Sequence, residues 1–246
     1  MKANHNQALS TRDMKRFSEQ RAAREAAPAA VIPAFRPDGK AFDLVNPTAA
    51  DIDFAAMANA LSKIARFNGI YRGPAYSVGQ HSVMGADALF RESGDAVLAG
   101  YFLIHDGHEY PFGDVTRPAV DVIQYHVGRL AASAGLNRPD FVTKLVHRAI
   151  GEVKRCLDLA IYRAAGIPDI KLMPIYARKV AEMDERMLVA EAKALFGPNA
   201  DQRCLPKLDL PPPRLTGALE PWGAAKAEIA FIERLERYLG IVVRPA

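Results

Sequence analysis

His105 and Asp106 stand side by side at the end of the apolar run Tyr101-Phe102-Leu103-Ile104. Burying an imidazole or a carboxylate without a partner costs several kcal/mol or forces a large pKa shift. A divalent cation is a partner that would satisfy both, and His81, at the start of a probable helix upstream, offers a third ligand. On a helix, residues three and four apart share a face, so Glu109 is expected to project toward the same place as Asp106 and His105. A fourth candidate ligand is Asp184 in Val180-Ala181-Glu182-Met183-Asp184-Glu185-Arg186-Met187-Leu188, where Val180, Met187 and Leu188 form an apolar stripe beside it. An Asp in so charged a run also reads as a solvated surface residue.

The elements that must carry these residues follow from patterning. Residues 1 to 30 form a polar, Ala/Arg-rich arm, and a single folded domain is expected over 31 to 246. Pro33, Pro37 and an Asp38-Gly39 turn signal predict a short extended or hairpin segment within 32 to 45. Asn46-Pro47-Thr48-Ala49-Ala50-Asp51 holds two helix-start signals, and Ile52, Ala56, Ala60 and Ile64 continue at helical spacing toward a stop at Asn68-Gly69. Ser77 and Gln80 have the spacing of a capping box, opening a helix through Leu89 and Phe90 with His81 in its first turn. The next helix is expected over about 95 to 110, where Pro111 and Gly113 prevent its continuation. Further helices are expected over 119 to 134, 139 to 165, 174 to 196 and 224 to 239. A Pro-rich wrapping segment fills 205 to 221, and the fold class is all-α.

Composition narrows the function classes. The chain has 246 residues, half of them apolar and about a quarter charged, with a formal net charge of +4. No apolar run approaches the roughly 20 residues that span a bilayer. The N-terminal segment lacks the apolar core of a secretory signal, so a cytoplasmic protein is expected. Cys156 and Cys204 lack Cys-x-x-Cys spacing, which argues against a disulfide framework or a thiolate zinc site. Cys156 is expected to be a small buried hydrophobe. Arg12, Lys15, Arg16, Arg21 and Arg24 make the arm basic, but no aromatic residues are interleaved to stack bases, so a dedicated nucleic-acid module is not expected.

His81, the His105-Asp106 doublet and the late Asp184 resemble the H…HD…D pattern of the HD-domain phosphohydrolase superfamily. Three segments resemble its bacterial 5′-deoxynucleotidase branch and that branch's phage and prophage relatives: Leu61-Ser62-Lys63-Ile64-Ala65-Arg66-Phe67, Tyr76-Ser77-Val78-Gly79-Gln80-His81-Ser82-Val83, and His105-Asp106-Gly107-His108-Glu109-Tyr110 with Gly113-Asp114-Val115. The resemblance covers about 40 to 120 and resumes near 175 to 195. It implies an HD-domain helical core with a helical insertion near 120 to 140 and a wrapping C-terminal segment over 205 to 246. It also implies that His81, His105, Asp106 and Asp184 hold one divalent metal ion. Mixed imidazole and carboxylate ligation suits cobalt, manganese, iron or zinc, with magnesium also in the set, better than calcium. By the same resemblance Glu109 orients the attacking water, Asp114 lies near the leaving oxygen or the sugar, and Arg66 contacts phosphate. Ser77 and Gln80 are implied substrate contacts.

Such a cation would make water acidic enough to attack phosphorus near neutral pH without a covalent intermediate. The expected activity is hydrolysis of deoxynucleoside 5′-monophosphates to nucleoside and phosphate. The alternatives are a dNTP triphosphohydrolase releasing triphosphate, and a non-catalytic nucleotide- or nucleic-acid-binding protein of the same fold. A homodimer is implied by the resemblance. The chain departs from its relatives after Pro118, where Ala119-Val120-Asp121 replaces a common basic residue and only Arg117 is nearby. His108 is expected to face away from the doublet, and His126 and His147 to be structural.

Overall fold

The computed structural model describes residues 30–135 and 139–243, and the basic arm expected over 1 to 30 lies outside them but for its last residue. Residues from Pro33 onward gather into one unit. It opens with an antiparallel hairpin of β1 (Pro33–Phe35) and β2 (Ala41–Asp43), in which Ala34 faces Phe42. The Asp38-Gly39 turn joins the strands, with Gly39 at φ 77°, a conformation open to glycine at no steric cost. Everything else in the described residues is helical or irregular, and the all-α class expected from the sequence is what the structure has.

Eight α-helices follow: α1 (Phe54–Leu61), α2 (Val78–Ser93), α3 (Ala96–Leu103), α4 (Glu109–Phe112), α5 (Arg117–Ser133), α6 (Pro139–Ala164), α7 (Pro174–Phe196) and α8 (Ala224–Leu239). The four long helices start and stop within two residues of their expected limits, because their apolar periodicity and their Pro and Gly boundaries agree. The expected helix over 46 to 69 is instead three pieces. Thr48 and Asp51 form a capping box, but it opens only a 3-10 turn over Ala49–Asp51. Asp53 then caps α1 by accepting hydrogen bonds from the amides of Ala55 and Ala56. After α1 the chain turns extended: the amide of Arg66 donates to the carbonyl of Tyr76, and that of Val78 to the carbonyl of Ile64. Pairing with 76–78 competes with helix here, and it wins.

The core is built around α2 and α3, with α8 lying across α1, α2 and α3 and with α7 against both central helices. A Cβ on Gly85 would lie 2.1 Å from the Phe102 ring, so glycine at this point lets α2 and α3 approach closely. Met57, Leu61, Met84, Leu98, Phe102, Leu103, Met183, Met187, Phe231 and Leu235 are wholly or almost wholly buried there. A buried polar contact fastens α8 to α2: Arg234 donates to both Asp87 oxygens at 3.2 and 2.9 Å, and the Tyr238 hydroxyl donates to Asp87 at 2.6 Å. Cys156 is exposed rather than buried, on the outer side of α6. No helix among the described residues is long and apolar enough to cross a membrane.

Candidate metal centre

His81 sits in the first turn of α2, fixed by the Ser77 hydroxyl, which accepts the amide of Gln80 at 3.1 Å. Its ring is fully buried, and its Nδ1 lies 2.7 Å from Glu191 Oε1 on α7. Burial pushes the Glu191 carboxyl upward, but Arg66 and His81 beside it outweigh that and hold it below the ordinary range. An ionised carboxylate can only accept, so Nδ1 of His81 donates. At the end of α3, His105 Nδ1 lies 2.6 Å from the carbonyl oxygen of Phe102, and it too must donate. Both rings therefore present Nε2 to the interior. The rings are 5.3 Å apart, and Phe102 packs against both.

The two Nε2 atoms are buried without a hydrogen-bond partner of good geometry. Around them stand two carboxylates. Asp106 Oδ2 is 3.2 Å from His105 Nε2 and 3.9 Å from His81 Nε2, and Asp184 Oδ1 is 3.3 Å from His81 Nε2 and 3.8 Å from His105 Nε2. A cation bound at about 2.1 Å by nitrogen and oxygen sets neighbouring ligand atoms roughly 3.0–3.5 Å apart. The observed spacings, orphaned nitrogens and donor chemistry fit such an ion. All four residues that the sequence singled out as ligands are thus brought together, from α2, the end of α3 and α7. Asp184 stays about one third exposed, which leaves the centre open on its side.

Protonation follows from the same geometry. Burial pushes His105 down, yet Asp106 and Asp184 more than offset it and raise the ring to about 9. Asp184 is likewise raised by burial, but bonding to His105 and His81 holds it well below the usual carboxylate range. A proton and a cation compete for the same Nε2.

Arg66 enters from the extended pairing of 64–66 with 76–78. Its Nε donates to Glu191 Oε2 at 2.9 Å, and its Nη1 lies 3.7 Å from Asp106 Oδ2. The next two residues, Phe67 and Asn68, have φ of 55° and 54°, a left-handed backbone that L side chains adopt at a cost. Phe67 packs edge-on against Phe196 at 5.3 Å, which helps hold the turn. Glu191 was not singled out by sequence. It joins His81 to Arg66 through its two oxygens, and it lies seven residues after Asp184, two helical turns on the same face. That spacing was the available signal.

The expected helix through 95 to 110 ends at Leu103 and restarts at Glu109. The His105 side chain and amide both bond the carbonyl of Phe102, which the amide of Asp106 would need in a continuing α-helix. The chain tightens into i to i+3 bonds, from Gly107 to Ile104 and from Glu109 to Asp106. Gly107 fits closely at this turn, since a Cβ would lie 3.0 Å from the Ile104 oxygen and from Ile161, so that a side chain there would push its neighbours aside. The break turns His108 inward, contrary to the helical-spacing expectation: it is 5% exposed, with Nδ1 2.9 Å from Asp158 Oδ1.

Glu109 is also buried, with Oε2 unpartnered. Burial first, then Asp106 and Asp114, push it up to about 9. Asp114, on the loop after α4, is raised mainly by burial, with Arg66 opposing. The remaining substrate candidates lie differently. Ser77 is buried with its hydroxyl capping α2. Gln80 is wholly buried, its Nε2 donating to the carbonyl of Glu220 and its Oε1 accepting the amide of Trp222, both at 2.7 Å, which leaves neither end for a substrate.

No family model matches the chain. An uncharacterized protein of Rhodobacter capsulatus is 31% identical to it over 165 residues, spanning 65% of this chain and 76% of that protein.

Proposed function

The chain belongs to the same family as the Rhodobacter capsulatus protein, and we propose that it is a metal-dependent phosphohydrolase of the HD type that acts on nucleotides, hydrolysing deoxynucleoside 5′-monophosphates to nucleoside and phosphate. One observation carries the reading: two buried imidazoles, each locked by a donated Nδ1 hydrogen bond, leave bare Nε2 atoms among the carboxylates of Asp106 and Asp184. When bound by these four residues, a divalent cation of the cobalt, manganese, iron, zinc or magnesium group lowers the pKa of water and neutralises phosphoryl oxygen charge.

The chain's own groups supply the rest. Arg66, steered by Glu191, offers its remaining guanidinium donors to a phosphate oxygen and stabilises the negative charge that develops there. Glu109, buried beside Asp106, would orient the attacking water. Asp114, on the loop after α4, would lie near the leaving oxygen or the sugar. Asp184, the most exposed of the ligands, marks the side from which substrate enters. Exposed apolar side chains on α5, among them Val122, Ile123 and Leu130, support assembly as a dimer.

The experiment is a screen of deoxynucleoside mono-, di- and triphosphates against cobalt, manganese, magnesium and zinc, with every product identified. Inorganic phosphate and nucleoside from a monophosphate are expected. Intact tripolyphosphate from a dNTP would replace this substrate class by the triphosphohydrolase alternative, and no turnover of any nucleotide would contradict the proposal.

A further inference from the structure

A second set of ligand atoms adjoins the first. Asp106, His108 and Glu109 each bring one potential ligand atom to within 4.8 Å of the others. His108 and Glu109 are both 5% exposed, and each ends in a buried atom without a hydrogen-bond partner, Nε2 of His108 and Oε2 of Glu109. A buried imidazole nitrogen and a buried carboxyl oxygen left without partners each lose solvation unless a ligand meets them.

The surroundings prepare His108 for that role. Its Nδ1 lies 2.9 Å from Asp158 Oδ1 on α6, so that Nδ1 donates to the Asp158 oxygen and Nε2 is the ring nitrogen available to a ligand. A carboxylate behind an imidazole is the arrangement that orients histidine ligands and makes them more basic toward a metal. His81 and His105 repeat the pattern, with Glu191 and the carbonyl of Phe102 behind them. Three histidines in one centre thus share one preparation, while the four-ligand site uses only two. Lys154 acts on Glu109 and Asp114 from the same helix as Asp158, so the carboxylates are not wholly uncompensated.

We propose that Asp106, His108 and Glu109 hold a second divalent cation, with Asp106 shared between the two ions. This rests on the hydrolytic reading, because the first site supplies Asp106. It deepens the mechanism: two cations side by side would stabilise both the attacking and the leaving oxygen of an in-line displacement at phosphorus. Ligation by one imidazole and two carboxylates suits manganese, iron or cobalt.

The test uses the full chain, stripped of metal, with manganese(II) as the probe. Bound manganese is counted after removal of the free ion, and low-temperature electron paramagnetic resonance reports whether two ions couple magnetically. The wild-type chain is expected to bind two equivalents with a coupled spectrum. His108→Ala and the near-isosteric His108→Asn are expected to bind one, without coupling, and Asp158→Asn to weaken the second equivalent by about 10- to 100-fold. Saturation of the wild-type chain at one equivalent, with phosphate release intact, would overturn the second site alone. Two coupled ions in both His108 variants would overturn it as well, and no bound manganese in the wild-type chain would overturn both sites together. Circular dichroism on each variant separates lost ligation from lost fold, and a variant that unfolds leaves the wild-type stoichiometry and coupling to decide.

Discussion

Glu191 is the residue that joins His81 to Arg66, the proposed metal ligand and the proposed phosphate contact. It receives the His81 Nδ1 hydrogen and the Arg66 Nε hydrogen at 2.7 and 2.9 Å, so its removal frees one imidazole to rotate and one guanidinium to drift. Glu191→Ala is expected to weaken metal affinity by about 10- to 100-fold, measured by competition with a chelating dye. Glu191→Gln keeps an acceptor for His81 and should lose less. Protonation gives a second residue-scale prediction. His105 is raised to about 9, so below that pH the metal-free ring carries the proton that a cation must displace. Metal affinity therefore rises with pH, and the cation-induced gain in melting temperature should be larger at pH 8.5 than at pH 6. The metal-free protein runs the other way: the favourable interaction of charged His105 is fully present below the unfolded value near 6.5 and is lost as pH rises through about 9. A gain independent of pH would mean that His105 is not a ligand.

At the scale of elements, the site depends on where helices stop. The long helices α5 to α8 were legible because each repeats its apolar face over four or more turns and begins or ends at Pro or Gly. The short ones were not, since their limits are set by tertiary hydrogen bonds that leave little trace in periodicity. The Ile64 to Arg66 segment is extended because 76–78 pairs with it, and α3 stops because His105 takes the Phe102 carbonyl. That stop is why His108, expected to face away from the doublet, is instead buried beside Asp158. The clustering of His81, His105, Asp106 and Asp184 was legible for the opposite reason: adjacent histidine and aspartate at the end of an apolar run have few other uses, whereas Glu191 looks like any acidic residue on a charged helix. Packing makes a prediction here too. Gly85→Ala would drive a methyl group into the Phe102 ring, which itself packs on His81 and His105. A loss of about 1–3 kcal/mol is expected in urea unfolding, with weaker metal binding in the folded fraction.

Over the whole molecule, the segment after α7 binds the helices together from outside. Arg186 on α7 donates to both oxygens of Glu92 at 2.8 and 2.7 Å and to the carbonyls of Pro211 and Pro212, while Glu92 also accepts the amide of Arg214. Gln80, next to His81, holds the same segment further on at Glu220 and Trp222. The Pro-rich composition of 205–221 announced a wrapping segment, but not the buried amide and arginine that would secure it. Arg186→Ala is expected to cost about 1–3 kcal/mol and to make the chain more readily cleaved by protease between 205 and 221. Metal ligation should survive in the folded protein, since Arg186 points away from the ligands toward Glu92.

The most direct test of the central claim compares phosphate release from deoxynucleoside monophosphates by the metal-stripped chain, the same chain reloaded with manganese or cobalt, and Asp106→Ala reloaded in the same way. Asp106 is the carboxylate within 4 Å of both ligand imidazoles and of Arg66. Release is expected only in the reloaded wild-type chain, with the variant folded yet at the uncatalysed background. Undiminished release by the stripped chain, or by the reloaded Asp106→Ala variant, would contradict the account.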